Sequence, residues 1–108
     1  MSGGSDDSSD RPGALPSGMP NYVVETYLSR EETRERRARE ARVRAAAAEL
    51  TLSGTTVQFE FVIHVPEDET SFYVFRAPSA HHSALTAQGA GLDPIRVVEA
   101  LTSKGTEQ

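Results

Sequence analysis

The amino-acid sequence predicts a small α+β domain in which two helices cover one face of a four-stranded antiparallel sheet. Two observations predict this fold class. Four short segments are rich in β-branched and aromatic residues, and two further segments each follow a serine suited to cap a helix. Their order along the chain is strand, helix, strand, strand, helix, strand. With right-handed crossovers this gives the sheet order 4-1-3-2 of the split-βαβ, or ferredoxin-like, arrangement.

The first half of the domain is predicted to be one strand and one long helix. Residues 21–28, NYVVETYL, have the composition of a strand. Ser29 and Glu32 have the spacing of a capping box, in which each side chain binds the other residue's backbone N–H, so we expect a helix over residues 30–50. The predicted packing face of this helix repeats every three to four residues. It consists of Ala38, Ala41, Ala45, Ala48 and Leu52, and Val43, Ala46 and Ala47 widen it.

The second half is predicted to contain a hairpin, a shorter helix and a last strand. Residues 55–65, TTVQFEFVIHV, alternate in polarity, and the short polar turn 66–70 joins them to a third strand over residues 71–77. Ser79 begins the second helix, which Gly89 and Gly91 bring to an end. Residues 94–101 form the fourth strand.

Both ends of the chain are expected to lie outside this domain. Residues 1–18 consist mostly of Gly, Ser, Asp and Pro and cannot bury enough apolar surface to order themselves, so we expect a disordered tail there, an ordered domain over 19–102 and a second tail over 103–108. Whether the native chain starts at Met1 or at Met19 is left open by the sequence. No apolar run is long enough for a membrane span, so we expect a soluble, cytoplasmic protein without a membrane partner.

The charged residues are unevenly distributed along the chain. The net charge is −5, but residues 30–44 contain seven arginines and four glutamates. Three pairs, Glu32–Arg36, Glu35–Arg39 and Glu40–Arg44, have the i,i+4 spacing of helix salt bridges. We therefore expect a charge-paired, solvated helix face and no nucleic-acid partner. The chain has no cysteine, which excludes disulfides, thiolate metal sites and a cysteine nucleophile.

The helix-free face of the sheet, called the open face below, is the predicted functional surface. On the second strand the alternation predicts that Val57, Phe59, Phe61 and Ile63 face the helices and that Glu60, Val62 and His64 face the open side. Val23, Tyr27, Val62 and Phe72 would make the open face too apolar to be left in water, so we expect a second copy to cover it, as in a dimeric α+β barrel. The alternation leaves the sides of the third and fourth strands open. If Arg76 and Glu99 join the open face, the predicted ligand-binding residues in the enclosed cavity are Glu25, Tyr27, Glu60, His64, Arg76 and Glu99.

Glutamates enclosed together in such a cavity would repel one another, and the pKa of one of them should rise. Glu25, Glu60 and His64 are therefore the candidate acid–base catalysts. The structural alternative is that Arg76 only pairs with the glutamates, or that the dimer interface satisfies them.

Three segments, MPNYVVETYL at 19–28, FYVFRAPSA at 72–80 and AGLDPIRVVEAL at 90–101, resemble a family of small ferredoxin-like proteins described as nickel-responsive or nickel-binding, with a related branch of unknown function. The matching positions are Glu25, Ala77–Pro78, Gly91–Leu92, Arg96 and Glu99. The resemblance implies a dimeric α+β barrel. It also implies nickel ligands at three positions, which here are Val24, Thr26 and Thr86. None of these side chains is a competent nickel ligand, so the family's metal site is expected to be absent.

His81 and His82 are the remaining metal candidates, with His64. Neighbouring residues on a helix point about 100° apart, so adjacent histidines do not converge on one ion. Two histidines on one helix chelate a metal at i and i+4, and the i+4 positions here are Leu85 and Thr86. We therefore predict no metal site at this pair and no other cofactor.

Three functions remain open from the sequence. The first is a homodimeric binding protein that holds a small molecule or a metal ion in the cavity on the open face. The second is a cofactor-free dimeric-barrel enzyme, of the monooxygenase, cyclase or isomerase type, that uses Glu25, Glu60 or His64 as acid or base. The third is a structural protein that docks an acidic partner on its arginine-rich helix.

Overall fold

The structure is a computed structural model that describes residues 19–101. Its elements are β1 (Asn21–Tyr27), a 3₁₀ helix (Arg30–Glu35), α1 (Arg36–Leu52), β2 (Gln58–Val65), a 3₁₀ turn (Pro66–Asp68), β3 (Thr70–Arg76), α2 (Ala80–Gly89) and β4 (Pro94–Ala100). The strands form one antiparallel sheet in the order β2-β3-β1-β4, which confirms the predicted α+β class and strand order. The two predicted tails lie outside the described residues.

The helix face of the sheet carries the core. Alternate residues of β1 and β3 are buried there, and they pack against α1 through Val43, Ala46 and Ala47 and against α2 through Ala87. The strand residues of this core are Tyr22, Val24, Tyr73 and Phe75. Neither helix within residues 19–101 has the length and apolar character needed to cross a membrane.

The segment before α1 is only half of the predicted capping box. The Ser29 hydroxyl accepts the Glu32 backbone N–H at 3.2 Å, as predicted. The Glu32 carboxylate, however, binds the Arg39 guanidinium at 2.9 Å. The first turns are therefore 3₁₀ in geometry, and the α-helix proper begins at Arg36.

The predicted packing face of α1 is only partly correct. Val43, Ala46 and Ala47 are buried as predicted, together with Arg39, whereas the other residues of the predicted stripe are exposed: Ala38, Ala41, Ala45, Ala48 and Leu52. The helix carries small residues on both sides, so alanine spacing alone does not choose a face. Val43, the largest apolar side chain near its middle, is fully buried and sets the orientation.

The three predicted salt bridges along α1 do not form among the described residues, because their partners are engaged elsewhere. Glu32 pairs with Arg39 at 2.9 Å, and Glu40 pairs with His64 at 3.0 Å. The Arg44 guanidinium lies 4.9 Å from the centre of the Phe59 ring. The acids and bases of α1 therefore hold the helix to the rest of the domain more than they pair along its surface.

Strand β2 begins at Gln58 and not at residue 55, because the preceding residues close the end of α1. Gly54 has a φ of 109°, which favours glycine. The Thr55 N–H donates to the Leu50 carbonyl at 3.0 Å, and the Val57 N–H donates to the Thr51 hydroxyl at 3.1 Å. These bonds satisfy backbone groups that a strand would have used.

A β-bulge at Glu60 overturns the predicted faces of β2. Phe59 pairs with Phe75 but Phe61 pairs with Val74, so two steps along β2 match one step along β3. Phe59 faces the helices as predicted. After the bulge the faces exchange, and Phe61 and Ile63 lie on the open face while Val62 and His64 lie on the helix face.

Candidate functional site

The open face is built from the alternate residues of all four strands. On β1, Val23 lies between Val74 of β3 and Val98 of β4, and Glu25 lies between Phe72 and Arg96. The bulge adds Phe61 and Ile63 of β2 to this surface. Phe61 and Ile63 are about half exposed, at 46% and 50%, so the described residues leave this apolar face uncovered.

A shallow cavity of about 220 Å³ lies on the open face across β3, β1 and β4. Its lining consists of Val23, Glu25, Phe72, Arg96 and Val98. Three walls are apolar, and one carboxylate and one guanidinium lie on neighbouring strands. The cavity therefore offers an apolar surface together with one acceptor and one donor group.

The structure brings together only part of the predicted ligand-binding set. Glu25 is on the open face as predicted, and its cross-strand neighbour is Arg96, not Arg76 or Glu99. Arg76 also lies on the open face, where its Nε is 3.9 Å from an Oε atom of Glu60. Glu99, whose side the alternation leaves open, lies opposite Tyr22 on the helix side and does not join the ligand-binding set on the open face. The predicted cluster of three glutamates does not form.

Tyr27 is held in a turn at the end of β1. Its hydroxyl donates to a Glu69 carboxylate oxygen at 3.3 Å, and the other Glu69 oxygen accepts the Arg30 backbone N–H at 3.0 Å. The negative charge of Glu69 raises the pKa of the Tyr27 phenol. Tyr27 does not line the open-face cavity, and its predicted role in ligand binding stays a prediction.

His64 lies in a polar cluster that the sequence pattern did not reveal. Its Nδ1 is 2.7 Å from the Ser71 hydroxyl, and its Nε2 is 3.0 Å from a Glu40 carboxylate oxygen. The His64 ring also packs edge-on against Tyr73, with the centroids 6.1 Å apart. The predicted placement of His64 on the open face is therefore wrong, because the bulge at Glu60 turns it towards α1.

Serine, histidine and glutamate in a hydrogen-bonded chain are the groups of a hydrolytic triad. Ser71 is 0% exposed, however, and is not part of the lining of the open-face cavity, so a substrate there does not reach its hydroxyl. The cluster instead joins three elements, since Glu40 belongs to α1, His64 to β2 and Ser71 to β3. The arrangement supports packing and not nucleophilic catalysis.

The other two histidines are at the start of α2. The Ser79 hydroxyl accepts the His82 backbone N–H at 3.3 Å and lies 2.8 Å from the His82 Nδ1. The rings of His81 and His82 are 5.6 Å apart, centre to centre. Within the part of the chain that the structure describes, no three His, Cys, Asp or Glu side chains are placed to hold a metal ion.

The three positions at which the resemblance implies nickel ligands are all buried on the helix side. Val24 and Thr86 are 0% exposed and Thr26 is 1% exposed. The Thr86 hydroxyl donates to the His82 carbonyl at 2.9 Å, so it closes a helical turn. An isopropyl group and two hydroxyls do not fit nickel, which prefers imidazole and similar ligands.

Known proteins do not supply a function for this arrangement. No protein-family model, no curated protein and no solved structure matches the chain. The family that the sequence resembles is therefore not established by these comparisons, and the function has to be inferred from the geometry of the open face.

Proposed function

We propose that the chain is a homodimeric binding protein, in which two open faces pack together and enclose a cavity for a small ligand. The observation that carries this proposal is the bulge at Glu60. By turning Phe61 and Ile63 outward, it joins them to Phe72, Val74 and Val98 in one apolar sheet face. Contiguous apolar surfaces of this kind are typical of interaction sites, because exposing apolar surface to water is unfavourable in free energy.

The charges on the open face favour a second copy as the partner. Two acids, Glu25 and Glu60, are accompanied by two bases, Arg76 and Arg96. A two-fold interface brings the same patch together twice, so it requires a surface that complements itself. Two acids and two bases meet this requirement. A strongly acidic partner would be repelled by the two acids, and a strongly basic partner would be repelled by the two bases. The family resemblance also implies a dimeric barrel.

The enclosed ligand is proposed to be a small molecule with an apolar body and a polar group. In each copy Val23, Phe72 and Val98 supply the apolar wall, and Glu25 and Arg96 supply the polar contacts. Small-molecule sites commonly combine a mostly apolar lining with a few fixed polar groups. A metal ion fits this lining less well, because Glu25 is the one carboxylate in it and no histidine reaches it.

The alternative of a cofactor-free enzyme is weaker than it is from the sequence alone. Of the three acid–base candidates, Glu25 lines the cavity, whereas His64 is bonded to Glu40 and Glu60 is next to Arg76. Binding therefore requires fewer assumptions than catalysis does.

Replacing Val98 by aspartate is expected to convert the dimer into a monomer of 11.7 kDa. An unpaired charge buried in an interface costs several kcal/mol, so the dimer dissociation constant should rise about 100-fold or more. Sedimentation equilibrium at micromolar concentration measures the change. Leu85→Asp is the matched control, because Leu85 and Val98 are both 38% exposed but Leu85 lies on α2, away from the open face. A monomeric wild-type chain, or a Val98→Asp variant that remains dimeric, would disprove the interface.

Native mass spectrometry of the purified protein is expected to show a dimer that carries a small molecule, which is lost on denaturation. Its occupancy should fall at least about tenfold in Arg96→Gln, because the ligand's polar group loses a charged partner. Arg37→Gln is the control, since Arg37 is exposed on α1, outside both the open face and the cavity lining. A dimer with no additional bound mass would support the proposed assembly and contradict the proposed ligand.

A further inference from the structure

A second, polar cavity of about 260 Å³ lies at the other side of the molecule, where β1 ends and the loop before β4 begins. Its lining includes Thr26 at the end of β1, Glu35, Arg39 and Arg42 on the 3₁₀ helix and α1, and Asp93 before β4. It has no residue in common with the open-face cavity. A function of this cavity would therefore be independent of the dimer proposed above.

Arg39 forms a fixed wall of this cavity. It is 9% exposed, and its two terminal nitrogens donate to the Tyr27 carbonyl at 3.1 Å and to Glu32 at 2.9 Å. An arginine that binds both a carbonyl and a carboxylate has little freedom to turn. Its charge is balanced by Glu32, so this pair shapes the cavity without adding net charge.

Thr26 has a buried hydroxyl with no hydrogen-bond partner among the described residues. The residue is 1% exposed and is part of the cavity lining. Buried hydroxyls are nearly always bonded, since an unbonded one has lost its hydrogen bonds to water without replacing them. The strand pairing is also irregular at this point, because Glu25 pairs with Arg96 and Thr26 pairs with Pro94. Such irregularities are frequent next to binding sites.

Three charged groups around Thr26 are not paired with one another or with other described side chains. Arg42 donates through Nε to the Ala90 carbonyl at 2.9 Å, and its guanidinium forms no ion pair with a carboxylate within residues 19–101. Glu35 and Asp93 are exposed and take part in none of the ion pairs formed within residues 19–101. The uncommitted charges at the cavity are thus one positive and two negative.

We propose that this cavity binds a basic α-amino acid. Such a molecule carries two ammonium groups and one carboxylate, which is the complement of Arg42, Glu35 and Asp93. The guanidinium of Arg42 would bind the carboxylate, the two acids would bind the ammonium groups, and the Thr26 hydroxyl would bond a polar group of the ligand. A volume of about 260 Å³ admits a ligand smaller than a typical drug. Because all three charged residues are exposed, we expect weak binding, with a dissociation constant of about 0.1–5 mM.

L-lysine is the probe for the full-length chain, measured by isothermal titration calorimetry at low ionic strength. Two analogues remove one feature each: L-norleucine lacks the side-chain ammonium group, and cadaverine lacks the carboxylate. Lysine is expected to bind about five- to tenfold more tightly than either analogue, since each lost ion pair weakens binding. If cadaverine binds as tightly as lysine, the cavity attracts cations without recognising the carboxylate, and the assignment is overturned. The absence of saturable lysine binding at about 20 mM would also overturn it.

Thr26→Val is the most informative variant, because valine has nearly the shape of threonine and removes the unbonded hydroxyl. It is expected to fold at least as stably as the wild type, yet to bind lysine at least about fivefold more weakly. Ser83→Ala is the matched control, since the Ser83 hydroxyl is also buried without a partner but does not line the cavity. Unchanged lysine affinity in Thr26→Val, or an equal loss in Ser83→Ala, would contradict the site.

Discussion

Replacing Phe75 by alanine is expected to lower the free energy of unfolding by about 3–5 kcal/mol. Phe75 is 0% exposed on the inner strand β3, where it lies opposite Tyr22 on one side and Phe59 on the other. Its ring centre is 5.7 Å from that of Phe59. Removing it leaves a cavity between the sheet and the helices, because the surrounding backbone is held by hydrogen bonds on both sides. Urea unfolding followed by circular dichroism measures the loss.

Phe61→Ala is the matched control, since it deletes the same side chain from the neighbouring strand. Phe61 is 46% exposed on the open face, so its loss should cost about 1.5 kcal/mol or less in the monomer. Unfolding should be measured at a protein concentration at which the chain is monomeric, because the open face is the proposed dimer interface. Equal losses of unfolding free energy in Phe61→Ala and Phe75→Ala would mean that Phe61 is packed in the core. That result would contradict the bulge at Glu60.

The order of the elements was predictable because each one carries its own local signal. Ser29 and Ser79 each precede a helix and cap it through the hydroxyl, as the sequence indicates. Strand β1 alternates without interruption, so its faces were also predictable: Tyr22, Val24 and Thr26 are buried on the helix side. The antiparallel order then follows from handedness and short connections.

The faces of β2 were not predictable from the same pattern. After Glu60 one set of alternate residues is wholly apolar, with Phe61, Ile63 and Val65, whereas the other contains Val62 and His64. Polarity alone therefore favours the first set for the helix side, which is the opposite of the arrangement in the structure. The choice depends on how many residues of β2 match those of β3, and a bulge becomes visible only when both strands are aligned. One extra residue moves His64 from the predicted site to the helix side.

The burial of Arg39 was unpredictable for a related reason. Arginine is one of the residues most often exposed, so the sequence pattern of α1 predicts a packing face made of its alanines and apolar residues and leaves Arg39 out. Arg39 is buried because Tyr27 and Glu32 satisfy its guanidinium. Those partners lie at the end of β1 and in the 3₁₀ helix, and their approach to Arg39 is a property of the folded chain.

Replacing His64 by alanine is expected to lower the free energy of unfolding by about 2–4 kcal/mol. The imidazole bonds Ser71 at 2.7 Å and Glu40 at 3.0 Å and packs on Tyr73. Without it the Ser71 hydroxyl, which is 0% exposed, loses this partner, and α1 loses its bond to β2. Urea unfolding at neutral pH measures the change. His81→Ala is the control, because His81 is exposed and should cost about 0.5 kcal/mol or less.

Glu40→Gln separates the hydrogen bond from the charge in this cluster. Glutamine keeps an oxygen that accepts from His64, so a cluster held by hydrogen bonding loses only about 0.5–1 kcal/mol in this variant. The loss in the double variant His64→Ala, Glu40→Gln should then be clearly smaller than the sum of the two single losses, because Glu40 and His64 are in contact. Strictly additive losses would mean that the two side chains act independently. His64 would then face away from α1, as the alternation of β2 predicts, and it would return to the open face beside Glu25.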